Sequence, residues 1–175
     1  MDYGGLRRSE LFTFFHLSES SRSAPSDEGI VRVFLKPGGF REFVDIEVQI
    51  DQSSLVRSAS LFMDRNWVGD VTTVNPFAKD ITKTFITVLV HPEDSPSVKD
   101  VVAAIWNLRG TRDRVYYLTQ PPEEEDYYDP ETLRAQRVYL GEEDKLEMIM
   151  PSSELIMENS HIQGKDLLRL TISSF

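Results

Sequence analysis

Apolar and polar side chains alternate strictly from Phe43 to Ile50: Val44, Ile46, Val48 and Ile50 fall on one side, Asp45, Glu47 and Gln49 on the other. A period of two is that of a strand with one face in a core and one in water. The β-rich run Ile30–Lys36 precedes it, separated by the turn signal Pro37-Gly38-Gly39. After Asp51-Gln52-Ser53-Ser54, the run Leu55–Met63 returns as a third strand, with Leu55, Ala59, Leu61 and Met63 on its apolar face. Three antiparallel strands in a meander follow from this pattern.

Beyond a loop at residues 64–74 the period changes. Asn75-Pro76 is a helix cap followed by proline at the first helical position. Phe77, Ile81, Phe85, Val88 and Leu89 recur at helical spacing as far as Val90, where Pro92 stops the helix. Ser95-Pro96 repeats the start signal, and Val98, Val101, Val102, Ile105 and Trp106 form a second stripe that Gly110 ends. Arg114–Thr119 reads as a strand and residues 121–126 as a loop. Asp129-Pro130-Glu131 opens a short helix through Arg137, although Val138-Tyr139-Leu140 also suits a strand. Lys145–Met150, Glu154–Glu158 and Leu167–Ile172 read as strands, the last with apolar residues for both faces. The expected fold class is α+β: an antiparallel sheet, made of the three-strand N-terminal meander plus C-terminal strands, packed on one face by two consecutive amphipathic helices.

Five of the nine residues from Ser18 to Ser26 are serine. Residues 1–28 therefore read as a flexible N-terminal arm and 29–175 as a single domain. The apolar patch Leu11, Phe12, Phe14 and Phe15 is the exception within the arm, suited to docking on its own core or on a second subunit.

Composition narrows the function classes. The chain has 175 residues, within the usual span of one domain, and it contains no cysteine. That excludes disulfides, thiolate zinc sites, iron–sulfur clusters and a cysteine nucleophile. The formal net charge is −10, from 19 basic and 29 acidic residues, which opposes binding to a phosphate backbone. Residues 120–147 alone carry ten carboxylates against Arg134, Arg137 and Lys145. No apolar run reaches the length of a membrane span. Arg7-Arg8 before Leu11–Leu17 imitates an export signal only weakly, because Glu10 adjoins it and no small-residue cleavage site follows. The expectation is a cytoplasmic protein that meets neither membrane nor nucleic acid.

Candidate chemistry is sparse. His16, His91 and His161 show no paired ligand spacing, and His91 suits a helix C-terminus, so no metal and no cofactor is expected. There is no nucleophile elbow or phosphate loop, and Gly38-Gly39 sits between strands. Asp45 and Glu47 belong to a solvated strand face. The loop residues Asp64, Arg65, Trp67 and Asp70 surround a tryptophan that serves as lid, ligand platform or interface anchor. Arg109, Arg112 and Arg114 form a cluster able to hold an anion or to pair with the acidic loop. Glu123, Glu124, Glu125, Asp126, Tyr127 and Tyr128 form an acidic strip for a basic partner, with tyrosines to supply buried area. Asn75-Pro76-Phe77 matches a short docking tripeptide, but helix capping accounts for it. These features favour a non-catalytic interaction or assembly domain, self-associating as a dimer or meeting a basic protein. The alternative is an anion-binding domain or enzyme with its site between the Trp67 loop and the Arg109–Arg114 cluster.

Overall fold

The computed structural model describes residues 1–110 and 128–175. Among the described residues, seven antiparallel strands form one sheet: β1 (Ser18–Arg22), β2 (Val31–Lys36), β3 (Val44–Ile50), β4 (Val56–Asp64), β5 (Lys145–Ile149), β6 (Ser153–Ile162) and β7 (Lys165–Ser174). Their order is β1-β2-β3-β4-β7-β6-β5. The first four are a meander; β7 joins them to the hairpin pair β5–β6 through its pairing with β4. The helices are α1 (Tyr3–Arg8), α2 (Glu10–Phe14), α3 (Arg65–Val68), α4 (Pro76–Leu89), α5 (Ser95–Trp106) and α6 (Pro130–Tyr139). The fold is therefore α+β.

Alternation decides which face the helices cover. Val44, Ile46 and Val48 of β3, Leu61 and Met63 of β4, and Leu168 and Leu170 of β7 are almost wholly buried. Phe85, Ile86, Ile105 and Tyr139 meet them from α4, α5 and α6. The opposite face is polar and partly exposed. Its charges pair laterally, Lys36 with Asp45 at 2.7 Å, Arg169 with Glu158 at 2.9 Å and Arg32 with Glu47 at 3.6 Å. β7 is thus buried on one face only, not on both. No helix among the described residues is long and apolar enough to cross a membrane.

Several local placements differ from the sequence pattern. Residues 1–28, expected as a flexible arm, hold α1, α2 and β1, and Leu6, Leu11 and Phe12 are buried in the common core. The serine-rich stretch pairs as edge strand β1 even though every side chain in it is exposed, because backbone pairing to β2 needs no apolar side chain. Between β3 and β4, Gln49 faces Ser58 whereas Ile50 faces Val56. Arg57 is the extra residue of a bulge, so Val56 turns inward and Leu55 is left 39% exposed.

The helix faces are also rotated from the simple stripe. In α4 the core takes Ala78, Thr82 and Ile86 beside Ile81, Phe85 and Leu89, and Phe77 faces out. In α5, Ala104 replaces Trp106 on the buried face. Small residues let these helices approach closely, which apolarity alone does not reveal. Val138 and Tyr139 are helical, with Tyr139 completely buried, Leu140 is the C-cap, and Gly141 at φ +80° follows the end of α6.

Candidate functional site

The β2–β3 hairpin is built around tight contacts. Gly38 donates its N–H to the Phe15 carbonyl at 2.9 Å, and a Cβ there would lie 3.0 Å from that of His16. Phe40 follows with φ +57°, a left-handed conformation that L side chains rarely adopt. Its carbonyl accepts from the Phe43 N–H at 3.0 Å, which closes the turn into β3.

At the far end of β4, Asp64 caps α3 by accepting from the Trp67 N–H at 3.0 Å. Gly69, at φ +87°, ends that single helical turn, and a Cβ would sit 1.6 Å from the Thr73 carbonyl oxygen. Trp67 is held between these two constraints. Asn75 in turn caps α4 through Phe77 and Ala78 and fixes the start of that helix.

These local devices assemble four aromatic rings. Trp67 stacks on Phe43 with centroids 5.8 Å apart and planes 7° from parallel. Phe40 lies 5.4 Å from Trp67 and 4.9 Å from Phe77. The ladder Phe43–Trp67–Phe40–Phe77 runs over the end of the sheet, from the strand side to the first turn of α4. Trp67 and Phe43 lean on the core, while Phe40 remains 43% and Phe77 53% exposed. Across Gly38, Phe14 is 67% exposed and packs edge-on against Phe15 at 5.0 Å.

A hollow of about 190 Å³ adjoins the ladder through Phe43. Glu42, Asp45, Asp64 and Lys165 line it together with Phe62, Ile162 and Leu167. Asp45 is already engaged by Lys36 and Asp64 by the Trp67 amide.

Of the residues singled out by sequence, Asp64, Arg65, Trp67 and Asp70 do form one unit, in which all but Trp67 hold backbone. Asp70 accepts from the Thr72 and Thr73 N–H groups and the Thr72 hydroxyl, which holds its carboxyl below the usual range. Arg65 donates to the Gly69 carbonyl at 2.6 Å and to Asn159 Oδ1 at 3.0 Å. Burial lowers its guanidinium pKa. Its guanidinium also lies against Gly141, beyond the C-terminus of α6, where the helix dipole favours a cation.

Gly110 packs on Thr72, where a Cβ would lie 2.5 Å from the carbonyl oxygen, so the segment carrying Arg109 reaches the Asp70 turn. Arg112, Arg114, Glu123, Glu124, Glu125, Asp126 and Tyr127 lie outside the described residues. Tyr128 is half-buried just before Asp129, the cap of α6. Leu11 and Phe12 belong to the core, whereas Phe14 is exposed and packs on Phe15.

Sequence reasoning passed over three features. Phe40 reads as an ordinary hairpin residue, although an apolar side chain directly after Pro-Gly-Gly is itself a signal. Asn159 is a polar node: its amide donates to the Val138 and Glu143 carbonyls, each at 2.8 Å. Asp94 is buried, and its carboxylate accepts from the Ser152 N–H at 3.1 Å and the Ser153 hydroxyl at 2.6 Å. Among the described residues, no group of three or more histidines or carboxylates is arranged to hold a metal ion. Comparison with protein families, curated proteins and solved structures finds no match to this chain.

Proposed function

We propose that this chain is a non-catalytic interaction domain whose docking surface is the aromatic end of the sheet. One observation carries the reading: a bulky apolar residue, Phe40, is kept in a left-handed backbone conformation with its ring half exposed beside Phe77. Such a conformation costs a non-glycine residue roughly 1 kcal/mol or more. His16, Ser54 and Gln163 share it, but Phe40 alone among them carries an apolar side chain. A ring held out at this cost to stability is accounted for by contact with something outside the domain. Exposed apolar clusters of this kind mark interaction surfaces.

The hollow beside the ladder, at about 190 Å³, is smaller than the ~300–1,000 Å³ of typical small-molecule sites. Arg65, the loop cation that the anion-binding alternative sets opposite the Arg109–Arg114 cluster, already has two acceptors and a helix C-terminus. Both points favour the interaction reading over that alternative.

Phe40→Gly separates docking from folding. It removes the ring and relieves the backbone, so stability stays within about 1 kcal/mol or rises. Under the proposal, a random peptide library displayed on phage enriches sequences that bind the wild-type chain and lose binding to the Phe40→Gly, Phe77→Ser variant. Enrichment of nothing, or equal binding to both, would refute the reading. Self-association is the homotypic form of the same docking, and Phe14 is the exposed residue of the former arm that favours it. Two copies of charge −10 repel. Homotypic docking would therefore tighten as salt rises, whereas docking of a basic partner would weaken. Sedimentation equilibrium across ionic strength distinguishes the two.

A further inference from the structure

We infer that the occupant of this surface is a short segment of another polypeptide in which an apolar anchor is followed closely by lysine or arginine. The anchor packs on Phe40 and Phe77, and the cation enters the hollow beside Phe43. This rests on the docking function proposed above and names its partner.

Area argues for a short segment. Phe40 and Phe77 together expose roughly 200 Å², taking about 200 Å² for a whole aromatic side chain. A globular partner, including a second copy of this chain, buries about 800 Å² on each side, more than half of it apolar, which is well beyond what these rings offer. A segment of a few residues with one or two apolar anchors matches what is available.

Charge argues for a basic residue next to the anchor. Three carboxylates, Glu42, Asp45 and Asp64, surround the hollow against the single ammonium of Lys165. Lys36 neutralises Asp45, and Asp64 faces the α3 amide. With Lys36 and Lys165 both counted against the three carboxylates, one negative charge remains in excess, and Glu42, which makes no ion pair among the described residues, is the carboxylate placed to meet an incoming cation. Phe43 and Phe62 also line the hollow, and aromatic rings attract a cation within about 6 Å of their centroids. The volume, about 190 Å³, suits one long side chain rather than a cofactor. The chain's net charge of −10 favours a basic segment over an anionic membrane. Because Phe43 belongs to both the ladder and the hollow, the apolar and cationic subsites are contiguous.

The test uses the full chain and an array of fluorescent synthetic peptides. Each pairs a phenylalanine, leucine or tryptophan anchor with two arginines, two glutamines or two glutamates. Anisotropy titrations at two salt concentrations give the affinities. The inference expects arginine peptides to bind at least tenfold more tightly than glutamate peptides, with binding weakened by salt. Glu42→Lys, checked for an unchanged urea midpoint, should reduce or reverse that preference. Phe40→Gly, Phe77→Ser should abolish binding of every peptide. If peptides bind but charge makes no difference, or Glu42→Lys leaves the ratio unchanged, the inference falls and the docking function stands. If no peptide binds, both fall. Vesicles of phosphatidylcholine and phosphatidylserine form the control. Binding to them that Phe40→Gly removes, without peptide binding, would assign the surface to a membrane and overturn the inference.

Discussion

Replacing Asn159 by leucine should destabilise the domain far more than its half-buried position suggests. The side chain makes three hydrogen bonds. Its Nδ2 donates to the carbonyls of Val138 and Glu143, and its Oδ1 accepts from the guanidinium of Arg65. Neutral hydrogen bonds contribute about 0.5–1.5 kcal/mol each and those to a charged group about 1.5–3. The summed loss is about 2.5–6 kcal/mol, a large part of the ~5–15 kcal/mol that holds a typical domain together. Leucine fills a comparable volume, so the loss reflects polarity rather than a cavity. Asn159→Asp refines the point. A carboxylate keeps an acceptor for Arg65 and adds an attractive charge, but at neutral pH it has no proton for either carbonyl. It should therefore remain about 1–3 kcal/mol less stable than wild type.

Urea denaturation at neutral pH, followed by far-ultraviolet circular dichroism, gives the midpoint and slope for each variant. Asn66→Ala on the exposed side of α3 is the control, expected within about 0.5 kcal/mol. A double-mutant cycle with Arg65→Met should show coupling of at least about 0.5 kcal/mol, because the two side chains touch. If Asn159→Leu costs less than about 1 kcal/mol, or the cycle is additive, the node contributes little and the account of how Arg65 is held is wrong.

Acid should weaken the domain through carboxylates that accept backbone N–H bonds. Asp51 and Asp129 have pKa values below the ordinary range for this reason, and Asp70 does through the Thr72 hydroxyl first and the Thr72 and Thr73 N–H groups after it. A depressed folded-state pKa contributes stability that is present above the unfolded value and is lost as pH falls through the folded one. Urea midpoints should thus fall as pH drops below about 4, and Asp70→Asn should flatten that fall. Gly69→Ala should cost more than about 2 kcal/mol in thermal melts, since both φ and the Thr73 carbonyl oppose a Cβ, whereas Gly164→Ala, with φ +79° but open space around it, should cost about 1. Removing residues 1–28 should abolish a cooperative melt, because Leu6, Leu11 and Phe12 leave the core with them. A melt unchanged by that deletion would show that the segment is not integral to the fold.

Strict period-two alternation made β3 legible, because every inward residue there is apolar and every outward one polar. α4 and α5 were legible from their proline-marked starts. Their inward faces were less so: Thr82 and Ala104 are buried for reasons of size, and Phe77 and Trp106 are exposed although apolar. β1 escaped notice because Ser18–Arg22 has no apolar face at all and pairs by backbone alone. The Arg57 bulge shifted Leu55 outward, which no pattern of residue types announces. Trp67 stood out as a candidate anchor, but its neighbours did not. Phe40, Phe43 and Phe77 come from a hairpin, a strand start and a helix start, and only the fold brings their rings together. Asn159 is one polar residue among many in sequence, and its partners come from α3, α6 and the loop after it.

The strand order has a consequence for how the chain comes together during synthesis. β7 follows every other described strand in the chain yet lies between β4 and β6. Until the ribosome has delivered residues 165–174, β4 presents an unpaired edge and β5–β6 has nothing to join. Unpaired edges of nascent sheets recruit other chains. The interval before β7 emerges is therefore when this protein is most exposed to aggregation and most dependent on chaperones. Substitutions in β7 that slow its pairing would lower the yield of soluble protein more than they lower the stability of the molecules that complete the sheet.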